Sequence, residues 1–113
     1  MDNCLFCKII SGEIPSKKVF ENDQVYAFRD INPQAPFHVL VVPKKHVSSI
    51  AEIDHLSNDE IAACMYAVKQ IASEASLSGG FRVISNCGPD ACQSVQHLHF
   101  HILGGRKMSD QMA

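Results

Sequence analysis

Three histidines stand at alternate positions near the end of the chain, at His97, His99 and His101. Alternation is the period of a β-strand, in which successive side chains point to opposite faces. The three imidazoles should therefore share one face, while the apolar residues between them face a core: Leu98, Phe100 and Ile102. Because an unperturbed imidazole titrates near neutrality, such a row can supply a nucleophile, a proton shuttle or metal ligands. A passive edge strand would more naturally carry threonine, lysine and glutamate, so the pattern favours chemistry.

The segment just before these histidines is a polar loop over residues 87–96, preceded by Asn86. It contains an amide, a hydroxyl and several backbone N–H groups, in Gln93, Ser94 and their neighbours. Backbone and side-chain donors of this kind can hold a phosphate or an oxyanion. A polar loop alone is a weak signal, but its position beside three histidines makes it a candidate phosphate-binding loop.

A second group of candidate ligands begins with Cys4 and Cys7. The Cys-x-x-Cys spacing is a common half of a tetrahedral zinc site, which His46 and His97 could complete. Alternatively, cysteines three residues apart on a helix share a face and could be small core residues. A thioredoxin-like redox role is disfavoured because the motif does not follow a strand in a βαβ context. A catalytic zinc on all three alternating histidines is also disfavoured, because it would leave none of the three imidazoles free to act as a nucleophile.

Local signals predict one short and one long helix. Asn3 is expected to cap a helix over residues 4–10. Ser57 and Glu60 form a capping box that opens the long helix, which is expected to end before Gly79. The apolar face of this helix is predicted to contain Ile61, Cys64, Met65, Val68, Ile71 and Ala72.

Five runs of β-branched, aromatic and alternating residues predict strands. They cover residues 18–21, 24–29, 37–42, 81–86 and 97–103. The first two are joined at Asn22-Asp23, which is typical of a tight hairpin turn. One domain over residues 1–113 is expected. The predicted fold class is α+β, a five-stranded antiparallel sheet with one long and one short helix.

Composition limits the possible partners and the cellular setting. The 10 basic and 12 acidic residues give a formal charge of −2, with no basic run of the kind that neutralises nucleic-acid phosphates. No apolar stretch approaches the roughly 20 residues that span a bilayer, and no signal peptide is visible. Five cysteines, an odd number, fit reduced thiols better than a disulfide framework. We therefore expect no nucleic acid and no membrane among the partners, and a cytoplasmic location.

Several separated motifs together resemble one family. They are residues 28–36 (FRDINPQAP), 42–46 (VPKKH), 93–95 (QSV), 97–103 (HLHFHIL) and 103–106 (LGGR). The run at 97–103 matches the histidine-triad signature, His-φ-His-φ-His-φ-φ, where φ is apolar. The whole set is similar to the Hint branch of the histidine triad (HIT) superfamily, the purine nucleoside phosphoramidases. That resemblance implies a HIT-type sheet and a homodimer whose two sheets join into one.

The resemblance also implies a mechanism. His99 would attack the α-phosphorus of a purine nucleoside 5′-phosphoramidate, giving a covalent nucleotidyl-histidine that water hydrolyses to the nucleoside monophosphate. A backbone carbonyl would hold the other ring nitrogen of His99 as N–H. His101 would bind the phosphate oxygens, Ser94 would assist protonation of the leaving amine, and His38 would lie behind the nucleophile.

The remaining site residues are implied in the same way. The nucleotide would be bound by Phe6, Phe28, Asp30, Ile31, Asn86, Cys92, Gln93, Ser94, His99 and His101. A structural zinc, not required for the chemistry, would be bound by Cys4, Cys7, His46 and His97. The sequence departs from the family pattern at Cys92, where glycine is usual, and in its tail, which lacks the Trp-Pro-Pro-Gly-like ending of animal relatives.

Two other functions compete with the phosphoramidase hypothesis. One is hydrolysis of dinucleoside polyphosphates, as in the Fhit branch, against which the segments 93–95 and 104–106 argue. The other is a nucleotide-binding or zinc-dependent interaction module whose turnover is incidental. An unligated nucleophile between two other imidazoles has no use in pure binding, so the triad favours an enzyme.

Overall fold

The computed structural model describes residues 3–113. Its helices are α1 (Leu5–Ser11) and α2 (Asn58–Glu74), with short 3-10 helices at Ile50–His55 and Pro89–Ala91. Its strands are β1 (Lys18–Glu21), β2 (Val25–Arg29), β3 (Phe37–Pro43), β4 (Phe81–Ile84) and β5 (Phe100–Gly104). They form one antiparallel sheet in the order β1-β2-β3-β5-β4. The predicted α+β class is confirmed, whereas the two 3-10 helices were not predicted.

Two predicted local signals are present as hydrogen bonds. In the turn between β1 and β2, the side-chain oxygen of Asn22 accepts from the backbone N–H groups of Gln24 and Val25, both at 2.9 Å. At the start of α2, the Ser57 hydroxyl accepts from the N–H of Glu60, and the Glu60 carboxylate accepts from the N–H of Ser57. Each bond satisfies a backbone donor that the chain reversal or the helix start would otherwise leave unpaired.

The two faces of the sheet bury separate apolar clusters. Helix α2 covers one face, and there Leu98, Phe100 and Ile102 pack in the larger cluster. Helix α1 covers part of the other face, where Phe6 packs with Phe28 and other apolar residues of β2 and β3. The three apolar residues between the histidines thus face α2, and the imidazoles lie on the α1 side, as the alternation predicts.

The helix boundaries differ in detail from the expectation. Cys4, not Asn3, caps α1, because the Cys4 sulfur accepts from the N–H of Cys7 at 3.3 Å. Helix α2 ends at Glu74, about one turn earlier than predicted, because Ser76 takes a left-handed φ of 58° and the N–H of Leu77 bonds the carbonyl of Ala72. This is the capping pattern that closes a helix after a left-handed residue.

One residue predicted in the buried face of α2 lies at the surface. Met65 is 42% exposed, whereas Cys64, Val68, Ile71 and Ala72 are buried. The apolar stripe of the helix is therefore wider than the area that the sheet of one chain covers.

The histidine strand is shorter than predicted. Strand β5 begins at Phe100, and β4 ends at Ile84, so His97 and His99 precede the ladder. Strand β3 ends at Pro43, which has no N–H to donate to a continuing ladder. The N–H of Leu98 instead bonds the carbonyl of Val47 at 2.8 Å. Within residues 3–113, no helix is both long and apolar enough to cross a membrane.

Candidate active site and metal centre

The middle histidine has a defined tautomer. Its Nδ1 lies 2.7 Å from the carbonyl oxygen of His97, and a carbonyl can only accept, so Nδ1 carries the proton. The Nε2 atom of His99 is left with its lone pair. The ring is buried and meets the edge of Phe6, with centroids 5.1 Å apart. Burial lowers the pKa of His99, which keeps the imidazole neutral and therefore nucleophilic at neutral pH.

A second chain of hydrogen bonds sets the tautomer of His101. The backbone N–H of Gln34 donates to Nδ1 of His38 at 3.0 Å, so the neutral His38 ring has its proton on Nε2. This Nε2 lies 2.8 Å from Nδ1 of His101, which must accept, and the proton of neutral His101 is therefore on its Nε2. Burial, with smaller contributions from His99 and His38, lowers the pKa of His101 to about 4. The result is a neutral N–H donor beside His99.

The same chain of hydrogen bonds argues against a metal among Asp30, His38 and His101, whose ligand atoms lie within 4.8 Å of one another. A metal on Nε2 of His38 would need the ring proton on Nδ1, where it would face the donating N–H of Gln34. The Nε2–H of His38 is donated to His101, and the Asp30 carboxylate lies nearby, with 3.4 Å between Oδ2 and Nε2. Gln34, His38 and His101 thus form a hydrogen-bond chain. Burial lowers the pKa of His38, although the nearby charge of Asp30 acts in the opposite direction.

The four predicted metal ligands come together. The ligand atoms of Cys4, Cys7, His46 and His97 all lie within 4.8 Å of one another. Nδ1 of His97 is 3.3 Å from the Cys4 sulfur and 3.1 Å from Nδ1 of His46, and the Cys7 sulfur is 3.5 Å from Nδ1 of His46. Tetrahedral coordination at ordinary zinc bond lengths separates two nitrogens by roughly 3.3 Å and nitrogen from sulfur by roughly 3.6 Å. The cluster can therefore bind a metal without rearrangement.

The protonation of the cluster also suits a cation. Nε2 of His97 lies 2.9 Å from the carbonyl oxygen of Pro43 and so donates, which leaves the lone pair on Nδ1 facing the thiols. Burial lowers the pKa of His97 to about 4, so the ring is neutral, as a ligand must be. Burial and the neighbouring Cys4 raise the pKa of Cys7 to about 11. A bound cation would offset this penalty and favour the thiolate.

The candidate phosphate-binding loop is held by the side chain of Gln93. Its amide nitrogen donates to the carbonyls of Ser48 at 2.7 Å and Val95 at 2.9 Å, while its oxygen accepts from the N–H of Gly88. The amide is thus occupied in closing the loop, and so are the backbone N–H groups of Cys92 and Gln93, which donate to the carbonyls of Pro89 and Gly88. Cys92 is exposed and has a left-handed φ of 60°, the conformation that glycine adopts most readily.

Two groups of the predicted site residues lie close to the triad. Asp30, His38 and the fully exposed Ile31 line an open cleft of about 630 Å³. Phe6 and Phe28 are buried, with their rings edge to face at 5.4 Å, and Phe6 also contacts the ring of His99. The cleft and the buried aromatic pair therefore lie on the face that carries the triad.

Ser94 and Asn86 are less closely tied to the triad. Ser94 is exposed and lines a separate cleft with Cys4 and His46, and no hydrogen bond joins it to the triad histidines within residues 3–113. Asn86 is half-buried just after the end of β4. Their roles in binding the leaving group and the sugar–phosphate stay predictions.

Three contacts of the histidines were not foreseen in the sequence. They are the Gln34 N–H on His38, the Pro43 carbonyl on His97, and the Ser85 hydroxyl, which donates to the carbonyl of His99 at 2.8 Å. Two of these use backbone atoms, which every residue has, so no residue type could have signalled them. Ser85 follows the end of a strand and belongs to no sequence motif that would have indicated its contact.

Several known proteins are similar to this chain in sequence and in fold. The family model of the HIT domain matches residues 11–108. The adenylylsulfatase HINT1 of Arabidopsis thaliana is 45% identical over 107 residues, covering 93% of this chain and 73% of the relative. The 14 kDa zinc-binding protein of Zea mays is also 45% identical, covering 93% of this chain and 84% of that protein.

A solved structure, that of a HIT family hydrolase from Clostridium thermocellum, superposes with a TM-score of 0.96 at 40% identity. The match covers 100% of this chain and 99% of the other. Together with the fixed tautomer of His99 and the matched motifs, these likenesses settle the family. The chain belongs to the HIT family, in its Hint branch, and is a nucleotidyl hydrolase.

Proposed function

We propose that the protein hydrolyses purine nucleoside 5′-phosphoramidates, of the adenosine type, to the nucleoside monophosphate and an amine through a nucleotidyl-His99 intermediate. The observation that carries the proposal is the tautomer of His99: the His97 carbonyl holds Nδ1–H at 2.7 Å, so Nε2 is a free nucleophile. Covalent catalysis divides one difficult displacement into two easier ones. The neighbouring N–H donor of His101 suits the phosphoryl oxygens, where negative charge builds up.

In the first step, Nε2 of His99 forms a bond to phosphorus while the phosphorus–nitrogen bond breaks. The leaving nitrogen takes up one proton, which solvent delivers through the exposed hydroxyl of Ser94, and departs as a neutral amine. The Nε2–H of His101 donates to a phosphoryl oxygen throughout. Its neighbour His38 keeps that proton on Nε2 by donating to Nδ1.

In the second step, water attacks phosphorus and the bond to His99 breaks. The nucleoside monophosphate leaves, the water releases one proton to solvent, and Nε2 regains its lone pair. One water is consumed in the cycle, and the proton taken up in the first step is returned in the second.

The remainder of the nucleotide would follow the cleft from the triad outwards. Asp30 would accept hydrogen bonds from the ribose hydroxyls, since its carboxylate lines the cleft beside His38. Ile31, Phe6 and Phe28 would contact the base. The sugar–phosphate region would be bound by Asn86 and Ser94, while Cys92 and Gln93, whose N–H groups donate to the carbonyls of Pro89 and Gly88, would hold the loop against it.

Denaturing mass spectrometry after rapid quench with adenosine 5′-phosphoramidate tests this function. The native protein should gain the mass of one adenylyl group during turnover, and His99→Gly should lose both the adduct and the activity. His55→Gln, which alters a histidine in the 3-10 helix Ile50–His55, should retain both. Turnover by His99→Gly at the native rate would overturn the mechanism.

The competing functions give other outcomes in the same experiment. Faster turnover of diadenosine polyphosphate would instead favour a Fhit-like hydrolase. Adenylyl sulfate belongs in the comparison because a relative is named an adenylylsulfatase. Binding of the nucleotide without any adenylyl adduct would favour an interaction module.

We also propose that Cys4, Cys7, His46 and His97 bind one structural zinc ion. The donor set is Cys₂His₂, the atoms are spaced for a tetrahedron, and a relative is named a zinc-binding protein. The ion would tie α1 to the segment that carries the nucleophile, leaving His99 and His101 unligated. It would supply no step of the chemistry.

Elemental analysis of chelator-free protein tests the zinc proposal. We expect about one zinc per chain, lost in the double variant Cys4→Ser, Cys7→Ser, together with a lower melting temperature. The matched control is Cys87→Ser, Cys92→Ser, which replaces two exposed cysteines and should retain the metal. Zinc absent from the unaltered protein, or equal in both double variants, would reject the site.

We further propose a homodimer formed through β4 and α2, within a cytoplasmic protein whose HIT domain spans residues 1–113. Strand β4 is an edge of the sheet, and on the α2 side it exposes Phe81 and Val83. Pairing of two β4 strands would join the sheets and cover these side chains. The five unpaired cysteines fit a reducing compartment.

Analytical ultracentrifugation tests the assembly. Val83→Lys should shift the native dimer to a monomer, whereas Ile50→Lys, a change at another exposed apolar residue, should not. A native protein that sediments as a monomer at micromolar concentration would contradict the proposal.

A further inference from the structure

The backbone of the proposed nucleophile lies outside the regular sheet. Strand β5 begins one residue later, at Phe100, and β4 ends at Ile84, which pairs with His101. The carbonyl of His99 therefore lies beyond the last residue pair of the β4–β5 ladder, Ile84 with His101. The half-buried hydroxyl of Ser85, the residue after β4, donates to the carbonyl of His99 at 2.8 Å.

This bond is placed to control the direction of the imidazole. The Nδ1–H of His99 donates to the carbonyl of His97, and the backbone N–H of Leu98, the preceding residue, donates to the carbonyl of Val47. These contacts fix the chain before His99, whereas the Ser85 hydroxyl holds the carbonyl of His99 itself, on the other side of its Cα. With both sides fixed, the Cα–Cβ bond of His99 has one direction. In-line attack needs the reacting atoms about 3–3.5 Å apart and aligned, so small errors of placement are costly.

We infer that Ser85 is a positioning residue for the nucleophile: its hydroxyl replaces the missing ladder donor and aims Nε2 of His99 at the phosphorus. The inference rests on the proposed function of His99. Ser85 itself touches neither substrate nor reacting atoms. Ser85 should therefore affect the rate of nucleotidyl transfer and not the affinity for the nucleotide.

Single-turnover kinetics with adenosine 5′-phosphoramidate, followed by quench and mass spectrometry, test this inference. Ser85→Ala should lower the adenylylation rate about five- to twenty-fold, the loss expected from one hydrogen bond that sets an attack geometry. The Kd for adenosine monophosphate should stay within a factor of about two. Ser85→Thr, which keeps the hydroxyl, should restore the rate to within about three-fold of the native value.

Ser11→Ala is the matched control, because the Ser11 hydroxyl also donates to a backbone carbonyl, that of Lys8, at 3.0 Å. It should leave the adenylylation rate unchanged. The inference is overturned if Ser85→Ala adenylylates at the native rate, if Ser85→Thr is as slow as Ser85→Ala, or if Ser85→Ala weakens nucleotide binding by the same factor as the rate. Failure of the native protein to adenylylate would refute the proposed function instead, so the two failures are distinguishable.

Discussion

Replacing His38 by phenylalanine removes the hydrogen bond that sets the tautomer of His101 while leaving the His101 side chain in place. The native His38 ring accepts from the Gln34 N–H through Nδ1 and donates through Nε2 to Nδ1 of His101 at 2.8 Å. A phenylalanine fills similar space but makes neither bond. His101 can then move its proton to Nδ1 and turn a lone pair, instead of an N–H, towards the phosphoryl group.

The size of the effect follows from these contacts. A preorganised donor to an oxyanion is worth about 10²–10³ in rate, so we expect adenylylation to fall about 100-fold. The orphaned acceptor on the half-buried His101 should cost about 1–2 kcal/mol of unfolding free energy. For a chain of 113 residues this lowers the melting temperature by about 5–10 °C, well short of unfolding at 25 °C.

The assay is single-turnover adenylylation at 25 °C with two leaving groups, the amine of adenosine 5′-phosphoramidate and the sulfate of adenylyl sulfate. Because His101 acts on phosphoryl oxygens common to both substrates, the fold loss should be the same for each. His55→Phe serves as the control for loss of a histidine outside the relay. A loss below about three-fold with either substrate would refute the tautomer reasoning, and a loss confined to the amine would mean that His38 acts on the leaving group.

The other predictions concern the leaving group, the loop and pH. Ser94→Ala should slow adenylylation from the phosphoramidate about ten-fold or more but leave adenylyl sulfate nearly unaffected, since sulfate departs without a proton; equal losses would contradict its assigned role. Cys92→Val should lower the unfolding free energy by about 1–2 kcal/mol in urea titrations, because a β-branched residue is strained at φ 60°, whereas Cys92→Gly should change it by less than about 1 kcal/mol. The melting temperature should fall as the pH drops from 6.5 towards 4. The reason is that His101 has a pKa of about 4 in the folded state and near 6.5 in the unfolded state, so the unfolded state binds more protons in this window. His101→Phe should flatten this slope of melting temperature against pH, and an equal slope in both proteins would count against the prediction.

Much of the fold could be predicted from short stretches of sequence. The turn at Asn22 and the capping box at Ser57 are local hydrogen-bond motifs, and both formed as predicted. The faces of the histidine segment followed from alternation alone, even though the ladder starts later than predicted. The errors were at boundaries: α2 ends early at a left-handed Ser76, and Cys4 takes the cap expected of Asn3. Caps and helix ends depend on which of several adjacent polar groups meets the backbone, and composition does not decide this.

The candidate site divides in the same way. Residue types and spacing identified the four metal ligands, and the structure brings their ligand atoms within 4.8 Å of one another. Nothing in the sequence indicated that Ile31 would be fully exposed or that Ser94 would line a cleft with Cys4 and His46, because exposure depends on packing between distant segments.

The sequence by itself determined that three imidazoles share one face beside a loop rich in donors, because strand periodicity and residue type are local properties. Only the tertiary structure decided which nitrogen of each ring carries the proton. The partner that fixes His97 is the Pro43 carbonyl, 54 residues away, and the partner that fixes His101 is His38, 63 residues away. A ring nitrogen can donate or accept with little intrinsic preference, so the assignment comes from whichever fixed donor or acceptor the fold places against it. Those contacts make His97 a candidate metal ligand, His99 the proposed nucleophile and His101 a donor.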